Sequence, residues 1–164
     1  MTEVIPDCAP ARTLISAELF DRLCHRITID ENVELGFAAQ IVDQALAFLG
    51  ACARFPGNRL APSKPVDIGW HAFILYTLEY EAFCHRVAGR FIHHVPQDVP
   101  GAPEHSKNPA SVRDCTVDAI RRAGYIVDPE LWTSDAYSCG TCHEDGNCAA
   151  SGVDGNENTE NRTA

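Results

Sequence analysis

The chain has 164 residues, 45% of them apolar, which is enough for a single domain whose core forms without disulfides or a metal ion. Its net charge is −10, from 23 acidic and 13 basic residues. This charge argues against binding to nucleic acid or to an anionic membrane surface, because both need a basic face on the protein. We therefore expect an unknown small molecule or another protein as the partner.

The location expected from the sequence is the cytoplasm. No continuous run reaches the roughly 18 apolar residues of a membrane span, and residues 1–10 carry acids and prolines where a signal peptide needs a basic and then an apolar region. The eight cysteines are then expected to be mostly thiols. Four of them stand singly in apolar helical patterns, and most of these four are interpreted as small buried side chains. They are Cys24, Cys52, Cys84 and Cys115.

The spacing of apolar residues predicts an all-α protein: a small helical bundle of about five helices with a short extended segment and a disordered C-terminal tail. We divide the chain into a flexible lead-in (1–13), a helical domain (14–137), a Cys-rich segment (138–149) and a disordered acidic tail (150–164). The tail consists largely of Gly, Asn, Ser, Thr and acidic residues, so it has little to bury.

The first two helices have recognisable ends. Ser16 suits the N-cap of the first helix. Asp30 can cap a second, longer helix, which Pro56 and Gly57 end. Apolar residues recur there at steps of three and four, which is typical of a central helix. The predicted inward residues are Leu19, Phe20, Leu23, Cys24 and Ile27 in the first helix, and Ala38, Ile41, Val42, Ala45, Phe48, Leu49 and Cys52 in the second.

Two more helices follow after a short loop. Pro65 fits the first turn of a third helix, which runs to about Tyr76. Thr77 can restart or cap a fourth helix, and Gly89 ends it.

Beyond the fourth helix the chain alternates irregular and helical segments. Aromatic and β-branched residues predict an extended segment at 91–95, and the prolines of 96–109 predict a loop. A fifth helix then runs to Gly124, and residues 129–132 form a single docking turn. The inward residues of the fifth helix are Val112, Cys115, Ala119, Ile120 and Ala123.

Asp67 and His71 are the first candidates for chemistry. They are four residues apart, so they lie on one face of the third helix and can share a metal ion. The alternative is that Asp67 stabilises the helix N-terminus and that His71 is a hydrogen-bonded, partly buried ring.

Glu81 and His85 form a second pair with the same spacing, next to Cys84. They are predicted to be a catalytic acid and base or to support the metal ligands. The alternative is an ordinary solvated pair on a helix surface.

His93 and His94 are the third candidates. Neighbouring side chains of an extended segment point to opposite faces, so only one of the two can reach a site formed by the preceding helices. A site of carboxylate and imidazole ligands suits zinc or non-haem iron better than magnesium or calcium, which prefer oxygen. The predicted cofactor is therefore a divalent metal ion, zinc or iron.

The Cys-rich segment is the fourth candidate. Cys139 and Cys142 have the spacing of a metal-binding knuckle, and Cys148 adds a third thiolate. A complete structural zinc site normally has two such knuckles, and here the second is missing. A redox dithiol and a tail that hands over metal are the alternatives.

The chain resembles the glycine-rich domain-containing protein-like family over roughly residues 34–95. The resemblance rests on a V-D-x-x-W-H stretch, then Tyr and Cys, then Gly-Arg. The matching positions are Asp67, Trp70, His71, Tyr80, Cys84, Gly89, Arg90 and His93. It implies a helical domain and singles out His71, but implies little about function. This chain lacks the long glycine-rich region of the plant members.

Three hypotheses of function remain open, because no P-loop, nucleophile elbow or dinucleotide fingerprint is present. The first is a metal-binding protein, with a metalloenzyme as its extension. The second is a metal-free interaction module in which Trp70, Phe73 and Tyr80 are core residues or partner anchors. The third is a thiol-based redox or metal-transfer protein that acts through the Cys-rich segment.

Overall fold

The computed structural model describes residues 8–96, 109–133 and 148–150. This part of the chain is an all-α bundle of five helices with one short two-stranded sheet, which confirms the predicted fold class. The helices are α1 (Ala17–Glu31), α2 (Leu35–Arg54), α3 (Lys64–Ile74), α4 (Thr77–Ala88) and α5 (Pro109–Arg122), the strands are β1 (His94–Pro96) and β2 (Cys148–Ala150), and 3-10 turns lie at Ala11–Leu14 and Pro129–Trp132.

Helix α2 is the centre of the bundle, as its apolar period predicts. Every predicted inward residue of this helix is buried, and α1, α3, α4 and α5 all contact it. Its length and a mean hydropathy of 1.4 would also suit a membrane span, but 67% of that stretch is buried inside the protein. Its position in the core therefore accounts for its apolar character.

The ends of α3 and α4 follow local signals. The Ser63 hydroxyl accepts a hydrogen bond from the Val66 N–H at 3.4 Å, and Pro65 lies in the first turn of α3. Gly89 ends α4 in the left-handed conformation, with φ of 68°. Because glycine lacks a Cβ, this conformation costs it little, and the prediction for this helix end is confirmed.

The predicted N-cap at Asp30 is wrong. Helix α1 continues through Asp30 to Glu31 and ends at Asn32, which has φ of 52°. Helix α2 begins only after Glu34, whose side chain makes no capping hydrogen bond. An Asn in the left-handed conformation commonly ends a helix, so α1 ends at Asn32 and Asp30 lies inside α1.

Residues 8–13 of the predicted flexible lead-in contact other parts of the bundle. Ala11 is fully buried, and the Ala9 N–H donates to the Gly124 carbonyl at 2.9 Å. The Ile126 N–H in turn donates to the Ala9 carbonyl at 3.2 Å. These hydrogen bonds join segments more than 100 residues apart, so no local pattern in residues 1–13 indicates them.

Cys115 is exposed, contrary to its predicted inward position on α5. The buried residue is Thr116, whose hydroxyl donates to the Val112 carbonyl at 2.8 Å and accepts from the Ala61 N–H at 3.2 Å. The hydroxyl thus satisfies a buried main-chain group that a cysteine would satisfy poorly. The other three helical cysteines are buried, as expected.

The docking turn near residue 130 is confirmed. Leu131 and Trp132 are buried, and the Trp132 indole N–H donates to the Gln44 side-chain oxygen at 2.8 Å. The Gln44 amide nitrogen donates to the Ile126 carbonyl at 3.0 Å. The buried amide therefore ties the chain after α5 to the central helix.

The predicted acidic tail and most of the Cys-rich segment lie outside the described residues. The short strand β2 is the exception, and it pairs antiparallel with β1. The pairing sets Cys148 opposite Pro96 and Ala150 opposite His94.

Helices α2 and α3 approach each other closely at Gly69. A Cβ atom added at Gly69 would lie 2.9 Å from the Ile41 carbonyl oxygen and 2.8 Å from the Ala45 Cβ. Both atoms belong to the rigid central helix, so α3 would have to move away.

We expect Gly69→Ala to lower the free energy of unfolding by about 1–3 kcal/mol, because the added methyl group overpacks the α2–α3 contact. Urea unfolding followed by circular dichroism measures this change. Gly36→Ala is the matched control, since a Cβ on this α2 residue meets nothing within 4 Å. Equal stability of the two variants would contradict the close approach.

Candidate metal centre

Helix α3 presents Asp67 and His71 side by side. The Ser63 cap starts the helix four residues before Asp67, whose N–H donates to the Ser63 carbonyl at 2.8 Å. One helical turn later, the His71 Nδ1 lies 3.1 Å from the Asp67 Oδ2. The Asp67 side chain is 10% exposed and that of His71 is 55% exposed. The pair therefore has a buried carboxylate and an imidazole that reaches solvent.

His94 of β1 completes the group from a different part of the chain. Its Nε2 lies 3.0 Å from the Asp67 Oδ1, and its side chain is 10% exposed. Its ring centroid is 4.3 Å from the rings of both Trp70 and His71. His93, by contrast, has its ring beside Phe91, with a centroid distance of 4.7 Å.

The three side chains have donor atoms spaced as ligands of one ion would be. One donor atom from each of Asp67, His71 and His94 lies within 4.8 Å of the other two. Two atoms that each bind an ion at about 2.0–2.2 Å are separated by about 2.9–3.5 Å. The two carboxylate–imidazole distances of 3.0 and 3.1 Å fall in that range. The donor set and its spacing therefore fit a metal ion.

Hydrogen bonding decides which nitrogen of His71 carries a proton. Its Nδ1 lies 2.8 Å from the main-chain oxygen of Asp67 and 3.1 Å from the carboxylate. Both oxygens only accept hydrogen bonds, so Nδ1 must be the donor. The neutral ring then has its lone pair on Nε2. This assignment holds for the ion-free protein, and an ion shared by Asp67 and the Nδ1 of His71 would have to displace the Nδ1 proton before that nitrogen could coordinate it.

The two groups on α3 stabilise each other's charged forms. Burial by itself is the largest influence on Asp67 and would raise its pKa. The hydrogen bonds and positive charge from His71 and His94 outweigh burial, so the pKa of Asp67 is lowered. The hydrogen bond with Asp67 raises the pKa of His71, although partial burial of the ring acts in the opposite direction.

A buried hydrogen-bond chain lies directly behind the group. The Trp70 indole N–H donates to the Tyr80 hydroxyl at 2.9 Å, and this hydroxyl donates to the Ile92 carbonyl at 2.6 Å. All three residues are at most 1% exposed. The chain connects α3, α4 and the segment that leads into β1.

The other predicted site residues lie elsewhere. Glu81 and His85 are exposed on α4, and the three-donor group found among the described residues contains neither of them. Their catalytic role stays a prediction. Cys139 and Cys142 lie outside the described residues, and Cys148 is placed only through the backbone pairing of β2.

The sequence indicated the donors but not how they are held. Residues 67 and 94 are far apart in the chain, so the separate patterns could not show which histidine of the doublet faces Asp67. The contact of the Trp70 ring with His94 and the acceptance of the Tyr80 proton by Ile92 were not predicted. The sequence predicts Trp70 and Tyr80 only as core residues or partner anchors, and no local pattern indicates that they contact the segment of His94.

The stability of the ion-free protein is expected to depend on pH through this pair. The raised pKa of His71 stabilises the folded protein below pH 6.5, and this stability is lost as pH rises through the pKa of His71 in the folded state. The lowered pKa of Asp67 gives stability that is present above 3.8 and lost as pH falls through its folded-state value. Both contributions are complete only between pH 3.8 and 6.5.

We expect His71→Ala to cost the ion-free protein on the order of 0.5–1 kcal/mol in that window and less at higher pH, because the half-exposed ring is screened by solvent. Urea unfolding in the presence of a chelator, at pH 5.5 and at pH 8.5, measures the difference. His25→Ala removes an exposed α1 histidine as the control. A cost for His71→Ala that grows with pH would contradict the assigned hydrogen bond.

A family model described as UCP032817-like matches residues 13–123, more than half of the chain. The resemblance to the glycine-rich domain-containing protein-like family is thereby corrected, since the motif around Trp70 and His71 lies within the matched region of a different family. No curated protein and no solved structure matches the chain. The chain therefore belongs to the UCP032817-like family.

Proposed function

We propose that this protein binds a divalent transition-metal ion, zinc or iron, through Asp67, His71 and His94. The observation that carries the proposal is the buried Asp67 carboxylate, which has one oxygen 3.0 Å from His94 and the other 3.1 Å from His71. A carboxylate and two imidazoles from separate elements thus converge on one point. Such convergence is uncommon on ordinary helix surfaces, where acid and histidine pairs are solvated.

The donor set favours some metals over others. Calcium and magnesium prefer oxygen ligands, whereas zinc and non-haem iron accept a mixture of imidazole and carboxylate. Three protein ligands leave at least one coordination position for water or a substrate. A metal held in this way can activate water or oxygen, which makes a metalloenzyme the natural extension of the proposal.

Metal binding competes with protons at this site. A ligand nitrogen must offer a lone pair, so any proton on the coordinating nitrogen of His71 or His94 has to leave. The affinity for the metal therefore rises with pH. The stability of the ion-free protein has the opposite pH dependence and falls above pH 6.5. The raised pKa of His71 makes the ring a protonated partner of Asp67, and this partner is lost as pH rises.

A metal-free interaction module is the second candidate function. Leu75 and Leu78, at the corner between α3 and α4, are 61% and 78% exposed. The predicted partner anchors Trp70, Phe73 and Tyr80 are not available to a partner, because each is at most 1% exposed. In this alternative, Asp67 and its two histidines only fasten β1 to α3.

Elemental analysis of purified, untagged protein tests the proposal and its rivals. We expect about one zinc or iron ion per chain in the wild type. Asp67→Asn and His71→Ala should weaken binding by at least about 100-fold, since even partners of metal ligands contribute 10–100-fold. Replacing Cys139, Cys142 and Cys148 together by Ser removes the thiols of the Cys-rich segment but keeps β2, which pairs with the strand of His94, and is expected to leave the ion bound.

The remaining outcomes separate the alternatives. Metal that survives His71→Ala but is lost in the triple cysteine variant would favour the thiol-based function. No metal in any preparation, even after reconstitution with zinc and with ferrous iron under argon, would favour the metal-free module. His25→Ala serves as the control for histidine removal in general.

Fluorescence gives a spatial test of the same site. The chain has two tryptophans, so Trp132→Phe leaves Trp70 as the only indole. The Trp70 ring lies 4.3 Å from that of His94, so cobalt(II) at the site is expected to quench its emission. The quenching should saturate at one ion per chain and disappear in a Trp132→Phe, His71→Ala double variant. Cobalt binding without quenching would place the ion elsewhere.

A further inference from the structure

We infer that Tyr80 is a positioning residue that holds His94 against Asp67 through the hydrogen bond from its hydroxyl to the Ile92 carbonyl. The effect on the His94–Asp67 contact stands without any metal. Its effect on metal affinity rests on the proposed function.

The direction of the hydrogen-bond chain is fixed by chemistry. The Trp70 indole can only donate, so the Tyr80 oxygen accepts from it at 2.9 Å. The single Tyr80 proton is then directed to the Ile92 carbonyl at 2.6 Å. Because the three residues are at most 1% exposed, water cannot substitute for a lost partner.

The hydrogen bonds from Trp70 through Tyr80 to Ile92 determine where His94 lies. Ile92 precedes His94 by two residues, about 7 Å along an extended backbone. A shift at Ile92 therefore moves the imidazole relative to the Asp67 oxygen, which is 3.0 Å from it. The Tyr80 ring also packs against the Phe91 ring of the same segment, with a centroid distance of 5.3 Å.

Trp70 contacts both His94 and Tyr80. Its ring contacts His94 with a centroid distance of 4.3 Å, and its N–H contacts the Tyr80 hydroxyl. Trp70, which directly precedes His71, thus contacts both His94 and the Tyr80 hydroxyl that positions His94. A hydroxyl on α4 can in this way affect a site to which it contributes no ligand.

Tyr80→Phe tests the inference, because it removes one oxygen and keeps the ring. Thr116→Val is the matched control. It also removes a fully buried hydroxyl, which bonds the Ala61 N–H at 3.2 Å and the Val112 carbonyl at 2.8 Å, and neither group belongs to the donor cluster. Circular dichroism defines conditions in which both variants are folded.

Two readouts are compared in those conditions. In ion-free protein, nitrogen-15 spectra of the imidazoles report the His94 Nε2–H bonded to Asp67. This signal is expected to be lost or shifted in Tyr80→Phe and kept in Thr116→Val. Zinc affinity, measured by competition with a chelating dye, is expected to fall about 10–100-fold in Tyr80→Phe only.

Each result decides a different point. A changed His94 signal in a protein that binds neither zinc nor ferrous iron supports the role of Tyr80 and overturns the proposed function. An unchanged signal with unchanged zinc affinity overturns the role of Tyr80 and leaves the proposed function standing. Equal losses in both variants would mean that Tyr80 contributes only general stability. Should Tyr80→Phe not fold in dilute buffer, the spectra are recorded in sucrose, which stabilises the compact state, and an unmoved His94 signal in the folded variant would contradict the inference.

Discussion

The burial of the Asp67 carboxylate is the constraint on which the site depends. Its side chain is only 10% exposed, and a charge taken out of water destabilises the fold unless polar partners replace the water. The partners are His71, one helical turn away, and His94, on a strand that approaches from beyond α4. The same contacts join α3 to β1 and bring together the donor atoms of the proposed metal site. The atoms that hold β1 against α3 are therefore the same atoms that would bind the proposed ion.

The rest of the bundle gives this carboxylate a rigid setting. Helix α2 is almost entirely buried from Ile41 to Cys52, and α3 lies so close to it that position 69 has no room for a Cβ. On the other side, the Tyr80 hydroxyl links Trp70 to the chain before β1. The donors are thus held by buried contacts on two sides, while the His71 ring alone remains open to solvent, with 55% of its side chain exposed. In the proposed metal site, water or a ligand would reach the ion from this exposed edge.

Local sequence signals succeeded where a single helix decides the outcome. The cap at Ser16, the first turn at Pro65 and the glycine end at Gly89 are as expected, and the apolar period identified the central helix. The signals failed where two local solutions compete. Asn32 rather than Asp30 separates the first two helices, and Thr116 rather than Cys115 faces inward. At Asn32 the main chain adopts the left-handed conformation, and at Thr116 the hydroxyl bonds two main-chain groups, and apolar periodicity indicates neither feature.

By itself the sequence determined the helical class, the core of the central helix and the neighbouring positions of Asp67 and His71, because a helix fixes the relation between residues four apart. Only the tertiary structure decided that His94 rather than His93 faces Asp67, since 27 residues of chain separate that pair. It also placed Tyr80 behind the site and left Glu81 and His85 apart from the donor cluster among the residues it describes. Contacts of this kind depend on how whole elements pack, and short sequence patterns carry no information about that packing.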